Sequence, residues 1–162
     1  MDALKAATLA VGCLVMTAAL PPAGQAETKP APAEAHSTWH KAHRVVVQVT
    51  QNDPAVMNMA LNNAENLAKY YQDKGEKIDI EFVAYGAGLN MVRSDTSPVK
   101  ERLAAMSASM KNVTFTGCGN TLANQSKQEN KTITLVPEAR LVPTGIARIV
   151  ELEEQGWTYV RP

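Results

Sequence analysis

One stretch of this sequence combines residue types suited to nucleophilic chemistry: Thr114-Phe115-Thr116-Gly117-Cys118-Gly119-Asn120-Thr121. A β-branched and aromatic run, read as a strand over Asn112 to Thr116, leads into a glycine-flanked cysteine. A helix is expected immediately afterwards, from about Asn120 to Glu129. A thiol in that turn faces the positive end of the helix dipole, which favours thiolate over thiol. Gly117 and Gly119 allow a tight turn in which amide groups approach a sulfur anion. Asn120 and Thr121 can cap the helix or donate a hydrogen bond to the sulfur. Cys118 is therefore the candidate nucleophile, set against the alternative of a buried, inert cysteine acting as a small apolar residue.

No general base accompanies the thiol. The three histidines, His36, His40 and His43, cluster around Trp39 near the amino terminus. Their spacings of four and three place imidazoles on one helical face, as metal ligands require. No carboxylate or cysteine completes a recognisable ligand set, so the segment reads as a solvated tail, with no metal and no cofactor expected. A second glycine cluster, Tyr85-Gly86-Ala87-Gly88, follows a predicted strand. It lacks the third glycine of a dinucleotide fingerprint. A loop at the carboxyl end of a parallel strand is still placed to line a ligand site, which makes Tyr85, Gly86 and Gly88 candidate binding residues beside Gly117, Gly119, Asn120 and Thr121.

The amino terminus has the pattern of an export signal. Ala6 to Leu20 is an apolar and small-residue run of about fifteen residues, short for a membrane span. Pro21-Pro22 ends it, and Gly24-Gln25-Ala26 supplies small residues for cleavage after Ala26. Cleavage before Cys13, with lipid attached to that cysteine, is the alternative. Residues 1–26 are thus read as a signal peptide, residues 27–43 as a flexible Ala/Pro-rich tether, and residues 44–162 as a single domain. The export signal implies a periplasmic protein with no stable membrane span once the leader is gone. Of two cysteines, only Cys118 remains in the mature chain, so no internal disulfide can form. The formal net charge is zero and stays zero after Asp2 and Lys5 are lost, so the footprint of a nucleic-acid binder is absent.

The elements that must position Cys118 alternate. Val45 to Val49 reads as a buried strand; Asp53 caps a helix with Pro54 in its first turn, a Met57/Ala60/Leu61/Ala64 stripe and a stop at Gly75. Ile78 to Ala84 is a second strand, Ser97-Pro98 opens a second helix, and the cysteine strand and polar helix follow. Ala139 to Val142 is a fourth strand, Thr144 caps a last helix ending at Gly156, and Trp157 to Val160 is a final short strand. Strands alternating with helices at this spacing predict a three-layer α/β/α domain with an open, mostly parallel sheet of about five strands. Cys118 and the Tyr85 loop should then share the carboxyl edge of the sheet.

The segment Phe115-Thr116-Gly117-Cys118-Gly119-Asn120-Thr121-Leu122 resembles the cysteine segment of the DsrE/DsrF-like family. The resemblance extends to Asp53-Pro54, Ala84-Tyr85-Gly86-Ala87-Gly88, Val142-Pro143-Thr144-Gly145 and the ending Gly156-Trp157-Thr158-Tyr159-Val160-Arg161-Pro162, from about Arg44 onward. It implies a compact α/β subunit assembling as homo-trimers or hexamers, with sulfur held as a persulfide on Cys118 within a sulfur relay. The donor and acceptor are unnamed by the sequence. Three functions stay open: a periplasmic sulfur carrier or sulfurtransferase, a non-catalytic binding or assembly module with a buried cysteine, and a redox protein forming an intermolecular disulfide.

Overall fold

The computed structural model describes residues 42–162; the expected signal peptide and the expected tether up to residue 41, with His36 and His40, lie outside the described residues. Five parallel strands form one sheet: β1 (His43–Val49), β2 (Ile78–Ala84), β3 (Val113–Cys118), β4 (Ala139–Val142) and β5 (Thr158–Val160). Their spatial order is β4-β3-β2-β1-β5. Helices α1 (Pro54–Asp73), α2 (Lys100–Ser109), α3 (Gly119–Gln128) and α4 (Gly145–Glu154) connect them, with a 3-10 helix over Gly86–Val92 after β2. This is the three-layer α/β/α arrangement expected from the sequence.

The layering follows from strand order. The chain steps from β1 to β4 in one direction, so right-handed crossovers place α1, α2 and α3 on one face. It then returns past β1 to form β5, and the same handedness puts α4 on the other face. Period-two alternation divides the side chains accordingly. Val45, Val47, Val49, Ile80, Phe82 and Phe115 meet Met57, Leu61, Leu103 and Met106 in the larger core, where the Phe82 and Phe115 rings stack at 5.2 Å. Val46 and Val83 meet Ile149 and Leu152 of α4 in a smaller one. The α4 face thus has one helix where the other face has three.

Local sequence explains the element ends. Asp53 Oδ1 accepts from the Ala55 N–H at 2.7 Å, and Pro54 occupies the first turn of α1. Gly75, at φ +70°, ends α1: its N–H reaches Gln72 O at 2.9 Å and the Glu76 N–H reaches Tyr71 O at 2.9 Å, a Schellman pair. Other boundaries moved. β3 runs on through Gly117 to Cys118, and α2 starts at Lys100 rather than at Ser97-Pro98; Ser97 donates its hydroxyl to Met91 O and accepts from the Val99 N–H at 3.4 Å. Thr144 occupies the N-cap position of α4 without a side-chain bond. His43 belongs to β1 rather than to the tether; it stacks on Tyr71 at 3.8 Å and bonds Glu76 at 2.7 Å.

Candidate functional site

Cys118 is both the last residue of β3 and the N-cap of α3, and it is only 4% exposed. Its place in the sheet has a topological cause. After β3 the chain turns to the α3 face, and after the neighbouring β4 it turns to the α4 face. Adjacent strands whose connections diverge open a crevice at their carboxyl ends, the usual ligand position in open α/β sheets. Cys118 stands at that switch point, between the first turns of two ten-residue helices.

The electrostatics follow from this position. Burial pushes the thiol pKa up, and it is the largest single influence. Against it act the Thr121 hydroxyl and then the backbone N–H groups of Thr121, Gly145 and Asn120; together they prevail, and the pKa lies below the ordinary thiol value of 9.0. The sulfur closes no capping hydrogen bond of ordinary geometry, so these donors act chiefly on the thiolate, which attracts them more strongly than the thiol. The Asn120 N–H, the weakest of them, is already committed to Pro143 O at 3.1 Å.

The surrounding residues lock the crevice walls together. Thr121 Oγ1 accepts from the Gly86 N–H at 3.1 Å, which leaves the hydroxyl proton free for the sulfur. Gly86 holds φ +56°, and its carbonyl accepts from Gln125 Nε2 at 3.1 Å. Gly88 has a packing role: a Cβ there would lie 2.3 Å from Val49 O, so only glycine lets the 3-10 helix cross the end of β1. Tyr85 accepts a hydrogen bond from Gln48, and Gln48 in turn accepts one from Tyr159.

Most of the residues expected from sequence therefore converge on one edge, while Gly88 and Gly117 serve packing instead. Gly117 is extended β3 backbone rather than part of a turn, and a Cβ on it would meet Leu135 Cδ1 at 2.7 Å on the opposite face from Cys118. Gly119 is the first residue of α3, where a Cβ would crowd Val142 O at 3.1 Å. Sequence reasoning missed Gly145 as a site residue. A Cβ on Gly145 would meet Tyr85 Cβ and Cδ1 at 3.1 Å and Cys118 Cβ at 3.3 Å. Its bare Cα is what lets α4 bring the Gly145 N–H to the sulfur. A strand order placing β4 beside β3 was the missing signal.

No group of metal-ligating side chains occurs among the described residues. A groove of about 520 Å³, lined by Gln72, Glu76, Lys77 and Asn112, lies at the amino-terminal end of the strands, away from the thiol. The arrangement around Cys118 is thus suited to a thiolate nucleophile stabilised by helix termini, without a neighbouring base.

No family model matches the chain, and no curated protein is significantly similar to it. Among solved structures it is similar to the protein of unknown function MTH1491 from Methanobacterium thermoautotrophicum. The TM-score is 0.63 at 28% identity, covering 74% of this chain and 99% of that one. That likeness supports the domain architecture and carries no activity with it.

Proposed function

We propose that this protein is a periplasmic sulfur carrier or sulfurtransferase that holds a persulfide on Cys118. The observation that carries the reading is the thiol's position between the amino termini of α3 and α4 with its pKa lowered. A persulfide is also an anion, so the same N–H groups that favour the thiolate favour the loaded state. In the loading step, the Cys118 thiolate attacks the outer sulfur of a donor persulfide. A bond forms between Sγ and that sulfur, the donor's S–S bond breaks, and the donor leaves as a thiolate with the electron pair. Delivery to an acceptor thiolate repeats the exchange in the other direction. Incubation of the purified protein with a sulfane-sulfur donor should add the mass of one sulfur, and Cys118→Ser should abolish the adduct. Unmodified wild-type protein across several donor classes refutes the reading.

Assembly belongs to the same proposal. Leu141 near the end of the edge strand β4 and Ile146 and Val150 on α4 are exposed at 56%, 54% and 48%. We read them as contacts of a homo-trimer or hexamer, which light scattering of the purified protein tests. Export is tested by intact mass of the protein recovered from periplasm, since cleavage after Ala26 fixes its value. A second reading is favoured by one specific observation, the 4% exposure of Cys118. In it the domain is a binding or assembly module and the thiol is packing. Native labelling separates the two: a thiol reagent that modifies Cys118 without denaturant excludes the packing role.

A further inference from the structure

A second polar centre lies on the α4 face of the sheet. Glu81 points to that face from β2 and is 2% exposed. Arg148 of α4 holds it with both edges of a fork, Nε to Oε1 and Nη2 to Oε2, each at 2.9 Å. Arg140 of β4 donates from Nη2 to Oε2 and from Nε to Thr116 Oγ1, whose own hydroxyl reaches Glu81 Oε1 at 2.8 Å. One guanidinium in bidentate contact is enough to balance one buried carboxylate. The second guanidinium is in excess of Glu81: Arg148 turns its Nη1 to the exposed Glu151 at 3.6 Å, and the Nη1 of Arg140 has no protein partner among the described residues.

These groups border a pocket of about 220 Å³, also lined by Lys111, Asn112, Thr114 and Trp157. Three cationic side chains stand there with Glu81 and the exposed Asp79, and Glu151 beside Arg148 brings the carboxylates to three, so the donor left over is Arg140 Nη1. The volume is below the roughly 300–1,000 Å³ typical of cofactor and drug-sized pockets, which favours a small ligand. We infer that this pocket binds a small tetrahedral oxyanion, with Glu81 and Thr116 fixing the two guanidinium planes, Arg140 and Arg148 contacting the ligand, and Lys111 joining them by exchanging its 3.1 Å hydrogen bond to Ser107 O for the anion. The donors approach from a strand, a helix and the turn before β3, which suits a tetrahedral anion better than a planar carboxylate. The site is separate from Cys118, which lies at the carboxyl edge of β3, and its chemistry does not depend on the sulfur reading.

Trp157 lines the pocket and serves as the reporter. In the full chain carrying Trp39→Phe, titration with inorganic phosphate at constant ionic strength should change Trp157 fluorescence saturably. Sulfate should compete with it and acetate should not. Titration with a nucleoside monophosphate distinguishes a free anion from the phosphate of a larger molecule; weaker binding than phosphate indicates the free anion. Arg140→Gln, at a half-exposed position, should weaken phosphate binding about ten-fold or more, and Lys111→Gln at an exposed position should weaken it without touching the Glu81 network. The absence of a saturable change in the parent, acetate competing as well as sulfate, or parental affinity in both variants overturns the inference.

Discussion

Thr121→Val tests the origin of the thiol's acidity with almost no change of side-chain volume. The Thr121 hydroxyl is the foremost influence lowering the Cys118 pKa. A hydrogen bond to a charged group is worth about 1.5–3 kcal/mol, so its loss cuts the thiolate population about 10–150-fold at a pH below both pKa values. Part of that loss is returned, because a more basic thiolate is a better nucleophile, with a Brønsted slope of about 0.4–0.5. The net expectation is labelling slowed by roughly 4–15-fold at neutral pH. The assay is the second-order rate of alkylation of native protein across a pH series. Above the variant's pKa the order should invert, since both thiols are then ionised and the variant's is the more basic. Thr121→Ser should behave as wild type. The Gly86 N–H released by the valine is exposed and finds water, so it adds little. Equal rates at every pH, or a constant ratio that never crosses, refute the electrostatic account and point to altered access instead.

Because the folded thiol has a lowered pKa, its contribution to stability is full above the unfolded thiol value and is lost as pH falls through the folded value. Denaturant midpoints should therefore rise with pH in that interval for wild type and stay flatter for Cys118→Ser. Glu81 is likewise lowered: burial pushes its pKa up, but Arg148, Arg140 and Thr116 together bring it below 4.5, so its stabilisation is lost only as acid reaches that lowered value. Glu81→Gln leaves two guanidiniums without their carboxylate and should cost about 3–5 kcal/mol in urea denaturation. Asp53→Ala removes the α1 cap and should cost about 1 kcal/mol. Gly88→Ala drives a Cβ against the Val49 carbonyl and should lower the thermal midpoint far more than Ala at Gly86, where no atom lies within 4 Å.

Much of the architecture was readable locally. The Val45 to Val49 run, the Met57 and Leu61 stripe and the Gly75 stop depend on period and capping, which act within a few residues. The polar α3 was also legible, and none of its residues is buried. The parallel sheet and the shared edge of Cys118 and the Tyr85 loop were also legible, and what failed was the detail set by particular neighbours. Glu81, in the alternating pattern of β2, has the look of a solvent-facing residue. It is buried because α4 returns over that face and brings Arg148. Gly117 has the look of a turn residue, but β3 continues through it because β4 pairs Leu141 against it and Leu135 fills the space a side chain would take. The seven-residue 3-10 helix after β2 was equally hidden, since its anchor is the Val49 to Thr50 backbone at Gly88.

The sequence by itself determined the alternating α/β pattern and the place of Cys118 at a strand-to-helix junction. Those are matters of residue type and short-range spacing. Only the tertiary structure decided that a second helix terminus also faces the sulfur. The β4–α4 turn reaches Cys118 across about 25 residues of chain because β4 pairs beside β3 and its connection leaves on the other face. That long-range pairing covers the thiol and adds the Gly145 N–H to the acidity that Thr121 supplies locally, and no local pattern in the sequence points to it.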